Sequence, residues 1–96
     1  MAIRVFIKRH IKEGSVAQAI QMLDRFRDMA RKQPGYLSGE TLSNHYDPRS
    51  ITIVSSWQKI EDWIQWQSSD ERSANEAEIE NLLEQPTKYE VYDTGS

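Results

Sequence analysis

The chain has 96 residues, a formal net charge of −3 and no cysteine. This length fits one domain, residues 1–96, with a thin core, and the lack of cysteine excludes disulfide scaffolds, thiolate metal sites and a cysteine nucleophile. No apolar run approaches the ~18 residues of a membrane span, and basic residues interrupt the N-terminus too often for a secretory signal. We therefore expect a cytoplasmic protein without a membrane partner, and its acidic balance argues against a nucleic acid partner.

The charge is divided unevenly along the chain. Residues 1–50 carry nine Lys/Arg and five Asp/Glu, whereas residues 51–96 carry three Lys/Arg and ten Asp/Glu. A solvated helix face explains much of this acid. The alternative is electrostatic complementarity between the two halves of the chain, or between two copies of it.

The first predicted element is a strand, because residues 3–11 alternate with a period of two. One face of this strand combines four aliphatic residues with one arginine: Ile3, Val5, Ile7, Ile11 and Arg9. A helix follows, for which Ser15 is the predicted N-cap and Gln18 completes a capping box. Its apolar residues recur at helical spacing until Pro34 and Gly35 end it.

Residues 36–46 and 50–57 read as two further strands. The turn between them is too short for a parallel crossover and therefore predicts an antiparallel hairpin. Residues 59–67 form a short predicted helix with Ile60, Trp63 and Ile64 on one side. Ser68 with Glu71 predicts the capping box of a further helix, and residues 87–93 form the fourth strand.

The element order is β-α-β-β-α-β, with the second helical region in two pieces. This order predicts an α+β, ferredoxin-like fold, a four-stranded antiparallel sheet with the helices on one face. The helix-facing side is expected to hold Ile3, Val5, Ile7, Ile53 and Val91. The open side is expected to hold Phe6, His10, Leu42, Tyr46, Val54 and Tyr92 among its charges. Because a solvent face would be more uniformly polar, we expect a homodimer that packs through the open side.

The sequence lacks the motifs of several enzyme classes. It has no glycine-rich phosphate loop and no Gly-x-Ser-x-Gly nucleophile motif. Its only histidines, His10 and His45, fall on predicted strands that need not be neighbours. We therefore expect no metal site.

Three tryptophans lie within ten residues: Trp57, Trp63 and Trp66. In one interpretation they fill the gap between a short helix and the sheet, as a small core requires. In the other they line a pocket, together with Tyr36, for a flat aromatic ligand.

The segment IVSSWQKIEDWIQW at residues 53–66, followed by Ser69-Asp70-Glu71, resembles the antibiotic biosynthesis monooxygenase (ABM) family. Pro34-Gly35-Tyr36 before the second strand and Asp47-Pro48 in the hairpin are similar to that family as well. The resemblance extends over essentially the whole chain in element order. It implies a dimeric α+β barrel, in which two ferredoxin-like subunits join across their sheets.

The resemblance also implies activities. Some relatives oxidise polycyclic phenols or quinols with O2 and no cofactor, whereas others bind and degrade haem. The haem-degrading branch uses an Asn, a Trp and a His, and this chain has Ile7, Trp66 and Glu76 at those places. We therefore expect an oxygenase that acts on an aromatic or quinol-like molecule without metal or flavin. The alternatives are a non-catalytic ligand-binding or dimerisation module, and a haem binder without turnover.

Such an oxygenase needs a base that removes the substrate's proton, so that the anion can react with oxygen. Histidine has the pKa range for this role. His10 and His45 are therefore the candidate bases. The candidate pocket walls are Trp57, Trp63, Trp66 and Tyr36.

Overall fold

The structure is a computed structural model that describes residues 1–95; Ser96, the last residue of the predicted domain, lies outside the described residues. Seven elements follow one another along the chain. They are β1 (Ile3–His10), α1 (Val16–Ala30), β2 (Tyr36–Ser43), β3 (Ser50–Trp57), α2 (Ile60–Gln67), α3 (Asp70–Glu80) and β4 (Lys88–Asp93). Within residues 1–95, no helix is long and apolar enough to cross a membrane.

The four strands form one antiparallel sheet in the order β2-β3-β1-β4. In the centre of the sheet, Val5 of β1 lies opposite Ser55 of β3 and Val91 of β4. The predicted ferredoxin-like α+β fold is confirmed, and the predicted hairpin of β2 and β3 is present. Strand β2 ends three residues earlier than predicted, at Ser43, because Asn44 begins the turn by accepting hydrogen bonds from the backbone N–H groups of Tyr46 and Asp47.

The alternation of β1 decides which side chains face the helices. Burial along the strand also alternates, and Ile3, Val5, Ile7 and Arg9 are the buried set. Two apolar clusters fill the space between sheet and helices. One contains Ile11, Ala19, Met22, Leu23, Ile51, Ile79 and Leu83. The other contains Ile3, Val5, Ile7, Trp57, Trp63 and Trp66.

The two predicted capping boxes are wrong. Ser15 does precede α1, but its side chain makes no capping hydrogen bond. The N-cap of α3 is Ser69 rather than Ser68, and its side chain accepts a hydrogen bond from the backbone N–H of Arg72 at 3.2 Å. Ser68 instead ends α2, where its hydroxyl donates to the carbonyl oxygen of Ile64. A serine that follows one helix and precedes another can serve either end, and spacing alone does not separate the two roles.

Helix α2 buries a different side from the predicted one. Trp63 and Trp66 are buried, whereas Ile60 and Ile64 are 37% and 51% exposed. Turning the two indole rings inward removes more apolar area from water than turning two isoleucines inward. Both tryptophans therefore pack against the sheet.

The basic first half and the acidic second half of the chain form ion pairs with each other. Basic residues of the first half pair with glutamates of the second half in four places: Lys8–Glu90, Arg9–Glu76, Arg25–Glu78 and Arg49–Glu84. Three of these pairs are partly exposed and are therefore weak. The pair of Arg9 and Glu76 is the exception, because the Arg9 side chain is only 2% exposed.

The turn between α1 and β2 requires a glycine at position 35. Gly35 has a φ of +82°, and a Cβ added there would overlap the Asp62 carboxylate of α2. The turn can therefore bring α2 against the start of β2 only while position 35 has no side chain. Gly14 has a similar φ of +83°, but nothing lies near its hypothetical Cβ.

These two glycines form a matched pair for a stability measurement. We expect Gly14→Ala to lower the free energy of unfolding by about 1 kcal/mol through backbone strain alone. Gly35→Ala is expected to cost at least about 1 kcal/mol more, because the added methyl group overpacks the contact with Asp62. Urea unfolding of both variants measures the difference, and in an Asp62→Gly background most of the extra cost should disappear, because no side-chain atom of residue 62 then meets the added methyl group. Equal costs for the two glycine variants would contradict the close contact.

Candidate functional site

A cavity of about 60 Å³ lies between the helical layer and the sheet. It is lined by residues from α1, α2, α3 and the three strands β1, β2 and β3. Its aromatic wall includes the four residues predicted to line a pocket: Tyr36, Trp57, Trp63 and Trp66. Its ionisable side chains include Arg9, Arg27, Arg72 and Glu76, whereas the Glu40 side chain lies opposite Val54 on the open side of the sheet. We call this space the helix–sheet cavity.

The aromatic rings form a continuous row along the wall. The centroids of Tyr36 and Trp57 are 5.3 Å apart in an edge-to-face arrangement, and those of Trp57 and Trp63 are 5.9 Å apart. Tyr89 extends the row, with its ring centroid 6.2 Å from that of Trp63. The indole N–H of Trp57 donates to the Ser55 hydroxyl at 3.1 Å. This bond satisfies the only polar atom of the buried indole and fixes the ring plane.

Gly39 of β2 makes room for the Tyr36 ring. A Cβ at position 39 would collide with the Tyr36 hydroxyl. The carbonyl oxygen of Gly39 also accepts a hydrogen bond from the Arg27 guanidinium at 2.8 Å. Gly39 therefore positions one aromatic and one cationic group of the lining.

The charged part of the lining is built on Glu76 of α3. Its Oε1 accepts a hydrogen bond from the Arg9 guanidinium and forms an ion pair with the Arg72 guanidinium at 3.2 Å. Its Oε2 lies 3.4 Å from the Tyr89 hydroxyl, which also accepts a hydrogen bond from Arg72 at 3.0 Å. The Glu76 carboxylate thus contacts two guanidiniums and the Tyr89 hydroxyl.

Arg72 and Arg9 are held by different surroundings. The Arg72 guanidinium lies 5.3 Å from the Trp63 ring centroid and 5.4 Å from that of Tyr89, within cation–π range of both rings. Arg9 has no such platform, and burial lowers its pKa, while the charge of Glu76 opposes that effect. The Glu76 carboxylate is therefore what keeps a buried guanidinium at position 9 tolerable.

The structure places the two candidate bases away from this cavity. Neither His10 nor His45 is among the residues that line it in the described part of the chain. His45 is exposed in the β2–β3 turn, where its ring meets Tyr46 edge to face at 4.9 Å. Their assignment as catalytic bases stays a prediction.

His10 instead connects the β2–β3 turn to the segment after α3. Its Nε2 lies 3.2 Å from Asp47 Oδ2, and its Nδ1 lies 2.9 Å from Glu84 Oε2. Only the imidazolium form donates to both carboxylates, since a neutral ring has one N–H. A hydrogen bond from the Ser50 hydroxyl, with further ones from the Arg49 backbone and His10, holds the pKa of Asp47 below its usual range.

Sequence reasoning missed the charged part of the site. Arg9 did stand out as the one charged residue on the apolar face of the first strand, and Arg72 and Glu76 are spaced as an i, i+4 pair. These were the signals in the sequence from which a buried ion pair could be inferred. Linking them needed the packing of α3 over β1, which joins residues 67 positions apart.

The size of the cavity restricts what enters it without rearrangement. A volume of about 60 Å³ holds only a few water molecules. A ligand of two or three fused rings needs several times that space. Its entry therefore requires the side chains of the helical layer to move outward.

The whole fold recurs among solved structures. The chain superposes on a conserved protein from Methanosarcina mazei with a TM-score of 0.92 at 19% identity, over 99% of this chain and 94% of that chain. It superposes on SnoaB, a cofactor-independent oxygenase from Streptomyces nogalater, with a TM-score of 0.86 at 12% identity, over 100% of this chain and 96% of SnoaB. At such identities these likenesses show a shared fold.

Two sequence comparisons address the family. Protein SchA of Streptomyces halstedii is 25% identical over 69 residues, which are 72% of this chain and 18% of SchA. This chain therefore corresponds to less than a fifth of that relative. The family model described as antibiotic biosynthesis monooxygenase matches residues 2–78. The match spans most of the chain and confirms the resemblance seen in the sequence, so the chain belongs to the antibiotic biosynthesis monooxygenase family.

Proposed function

We propose that this protein is a cofactor-independent monooxygenase, which oxidises a small hydroxylated aromatic molecule with O2 in the helix–sheet cavity. The observation that carries the proposal is a cavity with an aromatic wall and a buried pair of guanidiniums around one carboxylate. Flat rings stack favourably on such a wall. The shared fold of SnoaB, described as a cofactor-independent oxygenase, supports the same reaction class.

The chemistry follows from the substrate's own reactivity. Loss of the phenolic proton gives an electron-rich anion, which can pass an electron to O2 without a cofactor. One oxygen atom then forms a bond to a ring carbon and the other leaves as water, so a phenol and O2 give a quinone and water. The protein's part is to bind the ring, take the proton and stabilise the anion.

The lining supplies groups for each of these tasks. Trp57, Trp63 and Trp66 hold the ring, and the cationic guanidiniums of Arg9 and Arg72 stabilise negative charge in a site of low dielectric. Glu76 is the carboxylate in this lining that directly contacts both cations. We assign the acceptance of the substrate's proton to Glu76, in preference to the distant histidines, because the phenolate formed in the same step takes over the negative charge beside Arg9 and Arg72.

We do not extend the proposal to haem. Haem iron is held by an axial His, Cys, Met or Tyr, and no histidine, cysteine or methionine lines this cavity within residues 1–95. Among the described residues, Tyr36 is the only tyrosine in the lining, and its hydroxyl is packed against Gly39. The residues present therefore do not fit a haem group.

The first prediction of the proposed function concerns catalysis. We expect the protein to consume O2 with 1,5-dihydroxynaphthalene and to form the corresponding hydroxynaphthoquinone. Glu76→Gln should lower the rate by about 10²-fold or more, the usual effect of removing a catalytic base. An oxygen electrode measures the consumption of O2, and the visible absorbance of the quinone measures product formation.

Three variants serve as controls for this experiment. Glu78→Gln changes an exposed glutamate of the same helix and should leave the rate unaltered. His10→Ala and His45→Ala should retain most of the activity, and circular dichroism shows whether each variant is folded. A loss confined to either histidine variant would move the base to that residue. Absence of O2 uptake by the wild type with any hydroxylated naphthalene would favour a non-catalytic binding module.

We also propose that two copies of the chain pack through the open side of the sheet. This side exposes Leu42 and Tyr92 by 46% and 52%, and Tyr92 meets the Phe6 ring edge to face at 5.5 Å. A depression of about 780 Å³ lies over these residues. A second copy would remove this apolar surface from water, as a thin core requires.

The second prediction concerns this assembly. Analytical ultracentrifugation at micromolar concentration should give twice the mass of one chain. Tyr92→Glu and Leu42→Glu should shift the protein to the monomer, because each buries a charge at the two-fold interface. Ile64→Glu is the matched control, since Ile64 is 51% exposed on α2 in the helical layer. A wild-type monomer, or dissociation by Ile64→Glu alone, would contradict packing through the open side.

A further inference from the structure

The helix–sheet cavity contains cations whose hydrogen bonding is incomplete. Three arginines line it: Arg9, Arg27 and Arg72. Arg72 forms an ion pair with Glu76, donates a hydrogen bond to the Tyr89 hydroxyl and lies near two aromatic rings. The other two arginines each bond through a terminal nitrogen, Arg9 to Glu76 and Arg27 to the Gly39 carbonyl oxygen. The Nε atoms of Arg9 and Arg27 are buried and have no hydrogen-bond partner among residues 1–95.

The unpaired Nε–H groups of Arg9 and Arg27 are unusual for buried cations. Buried donors are almost always paired, and an unpaired donor on a charged group leaves its desolvation uncompensated. The two atoms are sealed from bulk solvent while their residues line the cavity. Because these residues line the cavity, a ligand whose entry displaces side chains of the helical layer is what can reach the two atoms.

The charge balance of the lining selects an anion. Glu76 is shared between Arg9 and Arg72, so one carboxylate faces two guanidiniums. Within residues 1–95, Arg27 has only a neutral carbonyl partner. Glu40 is the other acidic residue of the lining, but its side chain is exposed on the open side of the sheet and makes no ion pair in the described residues. A neutral occupant would leave this surplus of positive charge in place, whereas an anionic oxygen group would reduce it.

We propose that the substrate carries a carboxylate next to its hydroxylated ring, and that Arg9 and Arg27 bind this carboxylate through their Nε–H groups. A carboxylate has two oxygens and accepts from two donors at once, whereas a hydroxyl or carbonyl group brings no charge. The aromatic wall holds the ring while the two arginines hold the acid. This assignment rests on the proposed function for the location of the ring, and it adds the substrate class: hydroxylated aromatic acids.

A pair of probes that differ only in the carboxylate tests the proposal without turnover. The probes are 3-hydroxy-2-naphthoate and 2-naphthol, titrated by calorimetry under nitrogen. We expect the wild type to bind the hydroxynaphthoate at least about 10-fold more tightly than 2-naphthol, because charge-assisted hydrogen bonds form only with the acid. Raising the salt concentration should change this preference little, since the site is buried.

Conservative variants assign the preference to individual residues. Arg27→Lys and Arg9→Lys keep the positive charge but remove the Nε–H, and each should abolish most of the preference by weakening the binding of the hydroxynaphthoate. Arg25→Lys is the matched control, because Arg25 is an exposed arginine on the same helix as Arg27 and its variant should behave as the wild type. If Arg9→Lys does not fold, Arg27→Lys alone tests the carboxylate site.

The outcomes separate this proposal from the one on which it rests. Equal affinities for the two probes, or a preference that survives Arg27→Lys, would overturn the carboxylate site and leave the aromatic cavity standing. Failure of both probes to bind would remove the aromatic cavity as well. A preference for the hydroxynaphthoate that is lost in Arg27→Lys and kept in Arg25→Lys supports both the carboxylate site and the aromatic cavity.

Discussion

The buried guanidinium of Arg9 is the constraint on which the site depends. Side chains of β1 alternate between the two sides of the sheet, so position 9 must face the helices together with Ile3, Val5 and Ile7. A charge there is tolerable only with a partner. Glu76 supplies it, and the partnership fixes α3 over the strand, with Arg72 one turn earlier against the same carboxylate.

This arrangement explains why a small domain has a polar centre beneath its helices. The tryptophans of β3 and α2 cover one part of the space between sheet and helices, and the ion network covers the other. An aromatic wall beside cations is suited to an electron-rich ring that becomes an anion. The small volume of the cavity ties ligand entry to movement of the helical layer, which also keeps water away from the reacting groups.

Periodicity was sufficient to predict the elements, their order and the fold, because each pattern is local and the hairpin is short. It was not sufficient for helix ends or helix faces: Ser69 rather than Ser68 caps α3, and Trp63 and Trp66 rather than the isoleucines of α2 are buried. Tyr36 and the three tryptophans do line one cavity, as a cluster of large rings beside a thin core suggested. The link between Arg9 and Glu76 was beyond sequence reasoning, since only the packing of α3 on β1 brings them together.

The most direct test of the central claim is where an aromatic ligand binds. The chain has three tryptophans, so a two-dimensional ¹H–¹⁵N spectrum contains three indole N–H signals, from Trp57, Trp63 and Trp66. Titration with 1,5-dihydroxynaphthalene under nitrogen should shift all three signals in a saturable manner. Unchanged indole signals, with shifts confined to backbone amides around Leu42 and Tyr92, would place the ligand on the open side of the sheet and contradict a site in the helix–sheet cavity.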